Sequence, residues 1–173
     1  MMLVQKNIET ASRWDSFDHT LKEVLKIMNP RTILEYGPGT STKIFMEYSS
    51  VELIDSIEHN SAWYGKYKNE MNDKVKVYLQ PNMQLYPETT TRLDKYDIVF
   101  VDGRERDKCL YVSRIRLNDG GVVMLHDAER MAYKEMIDTF KYKFYTDQGH
   151  TVTLTDSLET SLKLKSLEED RLW

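Results

Sequence analysis

Apolar positions along the chain recur with two periods, and each period predicts its own elements. Trp14, Phe17, Leu21, Val24, Leu25 and Met28 fall at helical spacing, which predicts an amphipathic helix over 13–28, closed by Asn29-Pro30. Thr32–Tyr36 is β-branched, apolar or aromatic apart from Glu35 and reads as a buried strand. Gly37-Pro38-Gly39 makes a turn, and Thr40, Ser41 and Thr42 can cap a helix running to about Tyr48. A second strand covers 51–57 and ends in Glu58-His59-Asn60; residues 60–72 then read as a helix with Trp63, Tyr64, Tyr67 and Met71 on one side. Residues 74–79 alternate charged and apolar, a third strand, and 80–91, with Pro81 and Pro87, is a loop. Tyr96–Val101 is nearly all apolar, as a strand covered on both faces should be, and ends in Asp102-Gly103. A helix over 105–117 places Cys109, Leu110, Val112, Ile115 and Leu117 inward. Residues 118–121 form a turn, 122–125 a fifth buried strand ending in His126-Asp127, and 128–140 an amphipathic helix with Met131, Met136, Ile137 and Phe140. Phe144-Tyr145 and 151–154 are two short strands joined through 147–150, and the polar tail from 157 holds a final helix closed by Leu172-Trp173. Residues 1–12 are polar and expected to be loosely held.

Strands alternating with helices predict an α/β fold with a mostly parallel sheet covered on both faces. At 173 residues the chain reads as one domain, with a helical cover over 1–28, a core over 30–155 and a tail over 156–173. Hydrophobic residues make up 40% and charged residues 30%, the balance of a globular chain with a core. A net charge of −4 argues against nucleic acid as a partner, since such proteins present a basic face. No apolar run approaches membrane-spanning length and no signal-peptide pattern opens the chain, so the expected location is the cytoplasm, away from membranes. The single Cys109 excludes an internal disulfide framework and a CxxC site, and the four histidines lack zinc-ligand spacing. The expected partner is a small molecule, and nothing in the pattern indicates an oligomeric state.

Ligands of open α/β sheets bind outside the carboxyl ends of the strands, at the point where strand order reverses. The polar punctuation falls at those ends: Glu35 with Gly37 and Gly39, Glu58, Gln80 with Asn82, Asp102, and His126 with Asp127. Two cofactor classes compete. A dinucleotide fold wants G-x-G-x-x-G, and Thr42 stands at the third glycine. Glu58 lies about 20 residues past the turn, where an acidic side chain reaches ribose hydroxyls in either class. The polar ends Asp102-Gly103 and His126-Asp127 are features a hydride-transfer fold need not have.

With these segments in order, the chain resembles the class I S-adenosylmethionine-dependent methyltransferases, closest to small members of the O-methyltransferase-like branch. The resemblance is carried by Glu35-Tyr36-Gly37-Pro38-Gly39-Thr40-Ser41-Thr42, by Ser56-Ile57-Glu58-His59-Asn60 with Trp63-Tyr64, by Tyr96 to Gly103 with Arg106, and by Gly120 to Asp127 with Arg130 and Tyr133. It implies a Rossmann-like, doubly wound, seven-stranded sheet whose last strand is antiparallel, fitting the hairpin at 144–154. It also implies that Gly37 and Gly39 contact the methionine part of the cofactor, that Glu35 helps hold its amino group, and that Glu58 binds the ribose diol. Asn82 would flank the adenine, Asp102 would sit beside the sulfonium, and Ser41, His59 and Gly103 complete the cofactor set. An acidic pocket suits a cationic ligand better than a pyrophosphate.

Methyl transfer to a hydroxyl needs an aligned nucleophile and a group that takes its proton. His126 is a candidate base by its ordinary pKa, or else a local loop-positioning group. Asp127 orients His126, binds substrate, or caps the helix over 128–140. Metal-dependent relatives place three ligands here; Asp102 and Asp127 match two, but Ala128 stands where the third, an Asn, is expected. His126-Asp127 could serve as the adjacent pair used by cephalosporin hydroxylase-like proteins, although His suits magnesium poorly. A divalent metal is therefore not favoured. Arg106, Arg130 and Tyr133 match family positions and are substrate-binding candidates, since guanidinium forks suit carboxylate or phosphate. Arg104 is expected to pair on the surface with Glu105, Asp107 or Glu129. Trp63 and Tyr64 are expected in the core, with an adenine wall as the alternative, and Cys109 in packing. The reading is methyl transfer from S-adenosylmethionine to a small-molecule acceptor, on oxygen. The rivals are aminopropyl transfer or cofactor cleavage on the same fold, a non-catalytic partner subunit, and an NAD-dependent oxidoreductase.

Overall fold

The computed structural model describes residues 13–169. Seven strands, β1 (Thr32–Tyr36), β2 (Leu53–Glu58), β3 (Val75–Leu79), β4 (Tyr96–Val101), β5 (Leu117–His126), β6 (Tyr142–Thr146) and β7 (Thr151–Thr155), form one sheet ordered β3-β2-β1-β4-β5-β7-β6. β1 pairs in parallel with β2 on one side and β4 on the other, so the switch in strand order lies between β1 and β4. β7 runs antiparallel between β5 and β6. The doubly wound, mostly parallel sheet with an antiparallel last strand is the architecture expected from the sequence.

The period-2 pattern of the strands sorts side chains onto two faces. Ile33, Ile98, Phe100, Val122 and Met124 pack on one face against Phe17, Leu21, Val24 and Leu25 of helix α1 (Arg13–Met28), Phe45 of α2 (Thr40–Glu47), and Leu164 and Leu167 of α6 (Leu158–Leu164) and α7 (Ser166–Glu169). Leu34, Val99, Val101, Val123 and Leu125 pack on the other against Cys109 and Leu110 of α4 (Arg106–Ile115) and Ile137 of α5 (Lys134–Asp138). Asn29 stops α1 in the left-handed region at φ 46°, its N–H donating to the Leu25 carbonyl at 2.8 Å. Asn60 caps α3 (Ser61–Glu70), its side chain accepting from the N–H groups of Ala62 and Trp63.

The loop after β3 has an anchor that periodicity does not reveal. Asp55, fully buried on β2, accepts from Arg92 Nε at 2.6 Å, from the Arg92 backbone at 2.8 Å and from Tyr96 Oη at 2.6 Å.

Several expectations are corrected. Residues 118–121 stay inside β5 as a bulge between the pairs Tyr96–Leu117 and Ile98–Val122, because Asn118 Nδ2 donates to Asp97 Oδ1 and the Gly120 and Gly121 carbonyls accept from Thr160 and Thr155. The helix expected over 128–140 shrinks to a 3₁₀ turn at Met131–Tyr133 followed by α5. The Ala128 N–H is spent on the His150 carbonyl at 2.8 Å, which ties the segment to the β6–β7 hairpin instead of a helix. Ile115 ends α4 and is exposed, and Trp63 is 46% exposed, so neither joins the core. The tail forms two short helices rather than one, while residues 1–12 and Leu172-Trp173 lie outside the described residues. Among the described residues no helix is long and apolar enough to cross a membrane.

Candidate functional site

The turn after β1 and the corner after β4 are built against each other. Gly37 takes φ 91°, and a Cβ there would lie 2.8 Å from Gly103 Cα. A Cβ on Gly103 would in turn meet Tyr36, Gly37 and the Tyr86 hydroxyl. The two glycines thus let the ends of β1 and β4 touch backbone to backbone. Gly39 is different, because the space where its Cβ would stand is open.

Beneath the turn lies Glu35, fully buried. Ser41 Oγ, Thr42 Oγ1 and Ser56 Oγ donate to its carboxylate at 2.6, 2.7 and 2.6 Å. Thr42 also accepts the N–H of Gly39, the N-cap of α2, at 2.9 Å as in a capping box, while Thr42 and Ser41 together fasten the turn to Glu35. Burial pushes the Glu35 carboxyl up to about 7, against the opposing pull of the three hydroxyls.

At the end of β2, Glu58 Oε1 accepts the backbone N–H groups of His59 at 2.8 Å and Asn60 at 2.7 Å, and the His59 ring lies at 2.8 Å from the same oxygen. No hydrogen bond within the described residues reaches its Oε2. Trp63 leaves the core to donate its indole N–H to the Pro38 carbonyl at 3.0 Å, bracing α3 against the glycine turn.

The ends of β4 and β5 are knitted by Arg106, whose side chain is only 11% exposed. Its five N–H groups meet five acceptors: the carbonyls of Asp102, Gly103 and His126, and the carboxylates of Asp102 at 2.8 Å and Asp127 at 3.2 Å. Asp102 Oδ1 also lies 3.0 Å from His126 Nδ1, and Arg130 reaches Asp127 Oδ2 at 2.6 Å. The His126 ring is buried against Phe17 of α1, with centroids 4.5 Å apart. Asp127 and Glu105 both hold left-handed backbone, φ 56° and 47°, a conformation that costs a non-glycine residue of order 1 kcal/mol and marks both corners as held by their surroundings.

These pieces enclose a cleft of about 580 Å³ at the carboxyl ends of the strands. Gly37, Pro38, Gly39, Glu58, His59 and Trp63 line one side. Asp102, Gly103, Arg104, Arg106 and Arg130 line the other. Of the expected site residues, Glu35 and Ser41 lie under the turn, and His126 and Asp127 stand behind the lining. Asn82 is exposed and turned onto its own loop, accepting the Gln84 N–H at 2.9 Å. Tyr133 is half-buried against the core on the α4 side. Asp127 caps no helix; its carboxylate is held by the two arginines. Arg106 has no N–H left for a substrate anion, which corrects its expected role. Arg104 corrects the other way: its guanidinium makes no ion pair among the described residues, and Glu105 pairs with Lys108 instead. Pro38 was missed as a cleft residue, and Trp63 lines the cleft in keeping with its alternative reading rather than the favoured core one, since an aromatic at helical spacing carries a core signal.

Asp102, His126 and Asp127 bring ligand atoms within 4.8 Å of one another. The donor set does not fit a divalent cation, because Arg106 and Arg130 already supply positive charge to both carboxylates and would have to be displaced.

The buried Glu35 carries a stability signature. Its raised folded pKa favours the protonated form in the native state, so its contribution is complete below about pH 4.5 and is lost as pH rises through about 7. Urea unfolding should show the native protein losing on the order of 3 kcal/mol from this group between those limits, while Glu35→Gln shows a correspondingly flatter profile. Identical pH profiles for the two proteins would contradict the assignment.

No protein-family model matches this sequence, and no curated protein does. Solved structures do match. A methyltransferase-like protein from Silicibacter pomeroyi superposes with a TM-score of 0.66 at 16% identity, over 93% of this chain and 96% of that one. An O-methyltransferase from Bacillus cereus, in complex with S-adenosylhomocysteine, gives 0.63 at 14% identity, over 87% and 84%. Spermidine synthase from Thermotoga maritima gives 0.63 at 12% identity over 91% of this chain, which spans 65% of the synthase. The superposition over nearly the whole chain, with the strand order β3-β2-β1-β4-β5-β7-β6 and an antiparallel β7, makes this the seven-stranded, Rossmann-like methyltransferase fold.

Proposed function

We propose that the cleft binds S-adenosylmethionine and that the chain transfers its methyl group to a small-molecule acceptor, with a hydroxyl oxygen as nucleophile. The observation that carries this reading is Glu58. One carboxylate oxygen is fixed by two backbone amides and the other takes no hydrogen bond among the described residues, on a side chain that is 4% exposed and lines the same cleft as Gly39, where the place of a Cβ is open. A carboxylate so prepared matches a vicinal diol, which donates two hydroxyls and carries no charge. The neighbours with adenosyl ligands, whose fold this chain shares, support the same guest.

Bound there, the cofactor supplies a methyl group on a positively charged sulfur. The chain's part is to hold and align. Glu58 accepts from the ribose, and Gly37 and Gly39 let the methionine portion lie against backbone. Glu35 acts from below, keeping the turn shut through Ser41 and Thr42. Asp102 faces the cleft with Oδ1 pinned by Arg106 and His126, which leaves Oδ2 to stabilise positive charge. His126 is assigned a positioning role. With Nδ1–H donating to Asp102, the imidazole fixes that carboxylate's orientation from behind the lining. Asp127 serves by holding Arg106 and Arg130.

Aminopropyl transfer is the second reading, since a spermidine synthase shares this fold. The arginine side of the cleft opposes it, because a polyamine acceptor would approach Arg104 and Arg130 against like charge.

Titration calorimetry of S-adenosylmethionine should give saturable binding, weakened about 10- to 100-fold by Glu58→Ala. Absence of heat in the unaltered protein, or unchanged affinity in the variant, would remove the reading. For His126, turnover across small hydroxylated acceptors should fall about tenfold or more in His126→Ala and recover in part in His126→Asn, whose amide still donates to Asp102. Equal loss in both variants, with loss of the acidic limb of the pH–rate profile, would make His126 the base instead.

A further inference from the structure

Three arginines line the cleft, and their partners separate them. Arg106 is saturated by the ends of β4 and β5. Arg130 spends Nη2 on Asp127, yet its side chain remains 56% exposed. Arg104 is exposed, follows directly on Gly103, and its guanidinium has no hydrogen bond or ion pair among the described residues. Three of the acids nearby are committed, Asp102 and Asp127 to Arg106 and Arg130, and Glu105 to Lys108, and no ion pair joins Asp107 to Arg104 among the described residues. Glu58 stands on the opposite side of the cleft, clamped by backbone amides. The cleft therefore has an acidic side at β2 and an unmatched positive charge beside Asp102, in a chain whose overall charge is −4.

A guanidinium left without a carboxylate in a concave site is a binding group for a carboxylate or phosphate, which it meets with two parallel N–H bonds. From this we infer that Arg104, helped by the exposed edge of Arg130, holds an anionic group of the methyl acceptor, so that the acceptor is a small anionic molecule. The inference rests on the methyl-transfer reading for the word acceptor, and on Arg104 alone for the anion. The left-handed Glu105 that follows Arg104 fits this role, since it reverses the chain at the corner that carries the guanidinium. The cofactor's own carboxylate is the competing source of the anion.

The test uses inorganic phosphate as the probe, titrated by NMR or calorimetry with and without saturating S-adenosylhomocysteine, against the unaltered protein, Arg104→Gln and Arg104→Lys. Phosphate should bind the unaltered protein in both conditions. Arg104→Gln should weaken it about tenfold or more and Arg104→Lys less, because the lysine keeps the charge but not the fork. S-adenosylhomocysteine affinity should be the same in all three proteins, which also shows that the variants are folded. No phosphate binding, or phosphate binding indifferent to Arg104→Gln, would overturn the inference. So would a fall in S-adenosylhomocysteine affinity in Arg104→Gln while 5′-methylthioadenosine, which lacks the amino acid portion, binds as before; Arg104 would then read the cofactor carboxylate. Failure of S-adenosylhomocysteine to bind the unaltered protein would sink the methyl-transfer reading and leave the phosphate result to judge Arg104 by itself.

Discussion

The ends of β1 and β4 meet without side chains between them. Gly37 and Gly103 approach so closely that a methyl group on either would displace backbone, and this contact fixes the distance between the glycine turn and Asp102. Everything on the two walls of the cleft is referred to it. Glu35 holds the turn from below through Ser41 and Thr42, Trp63 braces it from the side through Pro38, and Tyr86 closes over Gly103 while donating to the Ile57 carbonyl at 3.0 Å. Arg106 does for β4 and β5 what the glycines do for β1 and β4: it joins two strand ends through three carbonyls and two carboxylates.

The division of charge follows from this scaffold. Each carboxylate near the cleft is either saturated or deliberately half-saturated. Glu35 takes three hydroxyl donors and no charge, and its burial raises its pKa against the pull of those donors; Asp102 and Asp127 take guanidiniums. Among the described residues, one Glu58 oxygen and the Arg104 guanidinium take no hydrogen bond or ion pair. In the proposed reading the cleft offers acceptor oxygens on Glu58 and Asp102 and a cation on Arg104, for two different guests.

The fully buried strands were legible to the residue. Thr32–Tyr36 and Tyr96–Val101 are apolar runs because helices cover both faces, and a mostly parallel sheet followed from the alternation of strands with helices, whereas seven strands with an antiparallel last one came from the family resemblance. Legibility failed where a local signal was outbid by a distant partner. Residues 118–121 have turn composition but remain strand because Asp97, Thr155 and Thr160 take up their polar groups. Met131, Met136, Ile137 and Phe140 have helical spacing, yet the left-handed Asp127 and the bond from Ala128 to His150 delay the helix. In the site, Glu58 and Gly37 announced themselves by spacing. Arg104 and Arg106 did not, since two arginines two positions apart look alike until one is seen buried among five acceptors and the other facing open space. Trp63 looked like core because periodicity reports apolar character and cannot report an indole N–H drawn outward to a carbonyl.

The central claim is that an adenosyl ligand lies across the Gly37–Gly103 contact with its ribose on Glu58. A crystal structure of the protein with S-adenosylhomocysteine tests it most directly. The account predicts both ribose hydroxyls on the Glu58 carboxylate, the amino acid portion against Gly37 and Gly39, and the sulfur open toward Asp102 and Arg104. A ligand bound elsewhere, or one in this cleft whose ribose leaves Glu58 untouched, would contradict it.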